Sequence, residues 1–85
     1  MTRGAKIERK TAAMLAAQRR AKRATRLAHV ETQSLKWAVL SEPDAPYIRG
    51  ALERALTAQN AAIFELQRYE TARSQLSAEW RNNGR

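Results

Sequence analysis

The sequence contains no cysteine, two prolines and three glycines among its 85 residues. Without cysteine, neither a disulfide framework nor a thiolate metal site can form. The scarcity of proline and glycine leaves few turn signals, which argues against the many short strands of a β-sandwich or β-barrel. Aromatic residues make up only 6% of the chain, and alanine supplies much of its apolar content, so any core is built from small side chains. We therefore predict an all-α fold of closely packed helices.

Residues that usually carry catalysis are also scarce. His29 is the only histidine, and no serine or threonine has an obvious base at helical spacing, so nucleophilic and histidine-based acid–base mechanisms lack their parts. Glu65 and Glu70 are five residues apart and point in different directions on a helix, which is typical of ion-pairing residues. His29 and Gln33 do not form a metal-ligating cluster. We predict a protein that is not an enzyme, with no metal, no cofactor and His29 on a helix surface.

Long apolar runs are missing near the N-terminus. The segment AAMLAA (residues 12–17) is six residues long and is followed closely by Arg19 and Arg20. It is too short for the core of a signal peptide and far too short to span a bilayer. We expect a soluble, cytoplasmic protein with no membrane role.

One segment divides a chain that is otherwise rich in strong helix formers. SEPDAPY (residues 41–47) holds both prolines, and Ser41 or Asp44 can cap the helix that follows. We predict helix 1 over about 5–40, a turn over 41–44, helix 2 over about 45–80 and a C-terminal tail over 81–85, in which Asn82, Asn83 and Gly84 end the helix. Two long helices joined by so short a turn fold back on each other. The sequence thus predicts a single antiparallel helical-hairpin domain, similar to a coiled coil.

Heptad spacing predicts which residues line the contact between the two helices, here called the seam. In helix 1 these residues are Ile7, Met14, Ala17, Ala21, Ala24, Ala28, Leu35 and Ala38. In helix 2 they alternate by four and three: Ile48, Leu52, Ala55, Gln59, Ala62, Leu66, Tyr69, Arg73, Leu76 and Trp80. Folding about Pro43 sets residue i opposite roughly residue 86 − i, so that Ala24 lies near Ala62. Small residues are then predicted to face large ones along most of the seam.

Apolar residues outside this seam predict a second interface. Six residues are assigned to it: Leu27, Val30, Trp37, Leu56, Ile63 and Phe64. Phe64 lies roughly 140° from the seam centre among polar residues, where a monomeric hairpin would leave it in water. Because an isolated hairpin exposes these side chains, we predict a homodimer that forms a four-helix bundle. The same residues could instead bind another protein.

Acidic residues are nearly absent from the first 26 residues. That segment holds nine Lys or Arg and one acid, whereas residues 27–85 hold seven of each, so the N-terminal third carries the whole net charge of +8. We predict that it binds the phosphates of DNA or RNA through Arg9, Lys10, Arg19, Arg20, Lys22, Arg23 and Arg26. The alternative is a solvated face whose arginines pair with Glu65 and other acids of helix 2.

The segment QRRAKRATR (residues 18–26) resembles the arginine-rich helices of phage antiterminator proteins, in which arginine and alanine alternate and the helix enters a widened RNA groove. The resemblance covers about a tenth of the chain and does not identify a family. A second interpretation of the sequence is a protein-binding regulator, adaptor or inhibitor, for example a phage- or plasmid-encoded accessory protein, whose basic arm meets an acidic protein surface. A third is a structural component of a larger assembly.

Overall fold

Two long helices make up the computed structural model, which describes residues 3–83. Helix α1 spans Arg3–Ser41 and helix α2 spans Ile48–Asn83. The two helices pack against each other along their length and give the molecule dimensions of 62 × 15 × 14 Å. The all-α helical hairpin predicted from the sequence is therefore confirmed. Helix α2 continues through Asn83, into the predicted tail, and Gly84 and Arg85 lie outside the described residues.

Two consecutive β-turns connect the helices. The Ala45 N–H donates to the Glu42 carbonyl at 3.0 Å, and the Ile48 N–H donates to the Ala45 carbonyl at 3.2 Å. Pro43 and Pro46 each occupy the second position of one turn, where the fixed φ of proline is favoured. Because each proline forms its own turn, the connection is longer than the predicted turn over 41–44.

The start of α2 also differs from the prediction. The Tyr47 carbonyl accepts the first hydrogen bond of the helix, from the Ala51 N–H at 3.0 Å, so Tyr47 occupies the N-cap position. Ser41 is instead the last residue of α1, and Asp44 lies within the first β-turn. Neither therefore caps α2, which begins at Ile48 rather than near residue 45.

Alanine forms the core of the hairpin. The buried residues are Ala17, Ala21 and Ala28 of α1 with Ala51, Ala55, Ala58 and Ala62 of α2. Ala28, Ala58 and Ala62 form one cluster, and Ala24 packs against it, as the predicted register requires. Because an alanine methyl group is short, it allows two helix axes to approach more closely than leucine does. In the middle of the hairpin, alanine therefore faces alanine, as predicted for Ala24 and Ala62, and the packing of small against large residues predicted for most of the seam does not hold there.

The seam residues were predicted more accurately in α1 than in α2. All eight predicted seam residues of α1 are buried or half-buried. In α2 the predicted sevenfold series also faces inward, namely Ile48, Ala55, Ala62, Tyr69 and Leu76. The other five predicted seam residues of α2 are exposed, namely Leu52, Gln59, Leu66, Arg73 and Trp80. In each case the residue that faces inward is the one before, and these residues are Ala51, Ala58, Glu65, Ala72 and Glu79. A seam of small residues permits the close approach of the helices, and leaves several large apolar side chains of α2 in solvent.

Candidate nucleic-acid interface

Four basic residues of α1 form an exposed surface, here called the basic face: Arg19, Lys22, Arg23 and Arg26. Their spacing of three and four residues keeps them within about 100° of the helix circumference, on the side opposite the buried alanines. Along the helix they span about 10 Å, and together they line one open concavity. Within the part of the chain that the structure describes, no carboxylate lies within 4.0 Å of any of them. The basic face therefore has no internal counter-charge there.

Three other bases of α1 pair with acids of α2. The Nζ atoms of Lys6 and Lys10 lie 3.5 and 3.3 Å from Oε1 of Glu79. Nε of Arg20 lies 3.4 Å from Oε2 of Glu65, and both of these atoms are shielded from solvent. This last contact confirms, for Arg20 alone, the pairing with Glu65 that was part of the alternative interpretation. Because all three contacts cross between the helices, they help to fix the register of the hairpin.

The seven residues predicted to bind nucleic acid thus fall into two groups. Arg9 is exposed, as are the four residues of the basic face. Lys10 and Arg20 are half-buried and already neutralise Glu79 and Glu65. To bind a phosphate, Lys10 or Arg20 would have to leave a carboxylate that is largely shielded from solvent, and breaking such a pair is unfavourable. Five of the seven residues therefore remain available to an external anion.

Glu79 has a pKa that is altered by its two lysine partners. Desolvation raises the pKa of this carboxyl, but the hydrogen bonds and positive charges of Lys10 and Lys6 outweigh that effect and hold the pKa below its ordinary value of 4.5. A carboxyl whose pKa is lower in the folded state stabilises the fold above its unfolded pKa. The stabilisation from Glu79 is lost as the pH falls through its pKa in the folded state. The end of the hairpin that holds Glu79 should therefore become less stable in acid.

We expect the Tm of the hairpin to decrease from about pH 6 to about pH 3, and to decrease less in a Glu79→Gln variant, which cannot lose the charge that the lysines stabilise. Thermal melts followed by circular dichroism measure the difference. Glu53→Gln is the matched control, since Glu53 is an exposed acid of the same helix. It should keep the pH dependence of the wild type. An identical pH dependence in Glu79→Gln and wild type would contradict a stabilising role for the lysine contacts.

The six residues predicted to form a second interface are all exposed, from 49% for Leu56 to 64% for Trp37. They do not form one surface. Leu56 and Ile63 lie beside Gln59 on a lateral side of α2, whereas Phe64 points away from α1. The Phe64 ring is covered in part by Arg68, whose guanidinium carbon lies 5.7 Å from the ring centroid. A single interface cannot bury all six.

The two lateral sides of the hairpin are marked by different contacts between the helices. On one side, Nε of Arg54 lies 3.6 Å from Oε2 of Glu31. On the other, the Gln59 side-chain amide donates to the Thr32 hydroxyl at 2.9 Å. Leu27 precedes Glu31 by four residues and so shares the first side with it. Leu27 consequently lies across the hairpin from the apolar residues beside Gln59.

Leu52 and Leu66 are among the exposed apolar residues that were missed as interface candidates. Both were assigned to the seam, but they are 45% and 44% exposed and lie on the same side of α2 as Leu56 and Ile63. The alanines Ala51 and Ala58, at the same helical spacing one residue earlier, were the signal that could have corrected the assignment. Close packing against an alanine-rich α1 selects those alanines for the seam.

No metal-binding cluster is present among residues 3–83, because histidine, aspartate and glutamate do not gather there in groups of three or more. His29 is exposed on α1. Over the same residues, neither helix has a stretch that is both long and apolar enough to cross a bilayer.

Comparison with family models, with curated proteins and with solved structures finds no match to this chain. Since a helical hairpin is compatible with many functions, the fold by itself does not select one. Function must therefore be inferred from the charges, the exposed side chains and their arrangement.

Proposed function

We propose that the hairpin is a non-enzymatic protein that binds nucleic acid through phosphate contacts of its basic face. The observation that carries the proposal is the contrast between these four cations and Lys6, Lys10 and Arg20, which pair with acids of α2. Cations held within about 10 Å of one another repel, and an anionic partner relieves that repulsion. A nucleic acid duplex offers about one negative charge per 1.7 Å of its axis, which is dense enough to meet each of them. The proposal includes a cytoplasmic location, where nucleic acid is accessible.

The composition of the basic face favours contact with phosphates over reading of bases. It consists of three arginines and one lysine, and the segment over residues 19–26 holds no asparagine or glutamine of the kind that reads adenine. Arginine and lysine reach phosphate oxygens as charged donors, so binding through these contacts should depend weakly on base sequence.

A salt titration tests this function. Binding to labelled duplex DNA and duplex RNA is measured by fluorescence anisotropy between about 50 and 200 mM monovalent salt. Five phosphate contacts, from the basic face and Arg9, predict a slope of log K against log salt of about −4.5 for duplex DNA. Polyglutamate is titrated as a competitor that represents an acidic protein surface. Absence of saturable binding to both duplexes at the low-salt end contradicts the proposal, and preferential binding to polyglutamate favours an acidic protein partner.

Exposed apolar residues support a second function, the binding of another polypeptide chain. Trp37 is 64% exposed and Phe64 is 56% exposed, and exposed aromatic side chains are frequent anchors of protein interfaces. A regulator, adaptor or inhibitor would use such side chains on a target protein. A structural component of a larger assembly, and the homodimer predicted from the sequence, would use them between copies or neighbouring subunits.

A further inference from the structure

Four large apolar residues of α2 form an exposed strip, here called the apolar flank: Leu52, Leu56, Ile63 and Leu66. They are 45%, 49%, 55% and 44% exposed, although the seam of the same helix is lined mainly by alanine. Gln59 lies in the middle of the strip, on the side of the hairpin that carries its hydrogen bond to Thr32. A contiguous apolar surface of this kind on a soluble helix is typical of an interface.

The spacing of the apolar flank is nearly the same when read from either end. Leu52 and Leu66 are each seven residues from Gln59, and Leu56 and Ile63 are three and four residues from it. An antiparallel second copy of α2 would therefore place leucine opposite leucine at the ends and leucine opposite isoleucine near the centre. An interface with twofold symmetry requires this self-complementarity, because the same surface must serve both chains.

Charged residues extend the same pattern beyond both ends of the apolar flank. Arg49 precedes Leu52 by three residues and Glu70 follows Leu66 by four, so an antiparallel copy brings Arg49 opposite Glu70 at each end. Arg49 is exposed and has no acidic partner among the described residues. The Glu70 side chain is 66% exposed, and its contact with Arg73 is long at 3.9 Å. Both charges are thus available to a second copy.

We propose that a second copy of this chain binds the apolar flank, with its α2 antiparallel to the first and the twofold axis beside Gln59. On the same side of the hairpin, α1 presents Thr25 and His29, which are polar and exposed. The two α2 helices therefore form the centre of the dimer, and the two α1 helices lie further apart. Leu27, Val30, Trp37 and Phe64, which the sequence also assigned to the dimer, lie outside this interface.

This arrangement rests on residues other than the basic face, so it can hold or fail independently of nucleic-acid binding. If both proposals hold, the two basic faces lie on the outer parts of the dimer, where each can meet phosphates. A dimer that presents two such faces binds one nucleic acid with higher avidity than a single hairpin.

Sedimentation equilibrium of the full chain measures the association. We expect a mass of twice the 9.6 kDa chain, and a monomeric mass for the Leu56→Glu/Ile63→Glu variant because two carboxylates would be buried against the second copy. The matched control is Leu27→Glu/Val30→Glu, which changes two exposed residues of α1 and should stay dimeric. A monomeric wild type, or equal loss of association in both variants, would overturn the proposal.

A cysteine placed on the axis gives a second test that does not depend on weakening the fold. The chain has no cysteine of its own, and two Cα atoms must lie within about 4.4–6.8 Å to form an unstrained disulfide. Under mild oxidation, Gln59→Cys should give covalent dimers on a non-reducing gel. Phe64→Cys, on the outward side of α2, should remain monomeric on the same gel. Equal crosslinking of both variants would indicate random collision and would refute the twofold axis at Gln59.

Discussion

Replacement of Arg19, Arg23 and Arg26 by glutamine is expected to remove most of the salt-dependent affinity for duplex DNA. Each base that neutralises a phosphate releases a counterion, and this release gives the salt dependence. With five contacts the affinity should fall about 500-fold between about 50 and 200 mM salt. With only Lys22 and Arg9 remaining, the fall should be about 12-fold, and the slope should change from about −4.5 to about −1.8.

The matched control for this variant changes the same number of charges elsewhere. Lys36, Arg68 and Arg81 are exposed and lie away from the basic face. Their replacement by glutamine removes three charges from the net +8, as does the triple variant of the basic face. If the cations act as a localised site, the control keeps a slope near that of the wild type. Equal slopes in the two variants would show that net charge alone attracts the nucleic acid, and helicity measured by circular dichroism excludes unfolding as the cause.

The hairpin itself could be predicted from the sequence because its signals are local. Both prolines fall within residues 41–47 of a chain that otherwise favours helix, so the number of helices and their antiparallel order follow directly. The predicted bounds of the turn were less accurate. Two successive β-turns, each with a proline at its second position, could not be distinguished from one short turn by composition alone.

The seam of α1 was predicted correctly, but only half of the predicted seam of α2 faces inward, for a physical reason. The sequence of α2 permits two patterns that alternate by three and four residues, one containing Leu52 and Leu66 and the other containing Ala51 and Ala58. Hydrophobicity favours the leucines when α2 is considered alone. The choice depends on the partner helix, because the alanines of α1 allow a close approach that only small residues of α2 can share.

The error of one residue in α2 also explains what was missed in the candidate site. It placed Leu52 and Leu66 in the seam, so the apolar flank was not recognised as a strip of four residues. It also left Glu79 unassigned, although the observed seam turns this acid towards Lys6 and Lys10. The excess of positive charge was evident from composition. Which cations are neutralised internally could be decided only from the rotation of α2 about its own axis.

An Ala62→Leu substitution is expected to destabilise the hairpin strongly. Ala62 is 5% exposed and belongs to the cluster with Ala28 and Ala58, so a larger side chain must push the helices apart or adopt a strained rotamer. Overpacking of this kind costs about 1–3 kcal/mol. A domain of this length has roughly 4–13 kcal/mol of stability in total, at about 0.05–0.15 kcal/mol per residue, so one substitution removes a substantial part of it.

Ala61→Leu is the control that separates packing from composition. Ala61 precedes Ala62 on the same helix but is exposed, so the same change adds the same atoms with the same helix propensity and meets no packed neighbour. Urea denaturation followed by circular dichroism measures the free energy of unfolding. We expect a lower value for Ala62→Leu than for the wild type, and a nearly unchanged value for Ala61→Leu. If Ala62→Leu were as stable as its control, the helices would have room for a leucine between them. The close approach of alanine to alanine would then not be the reason that α2 turns Leu52 and Leu66 towards solvent.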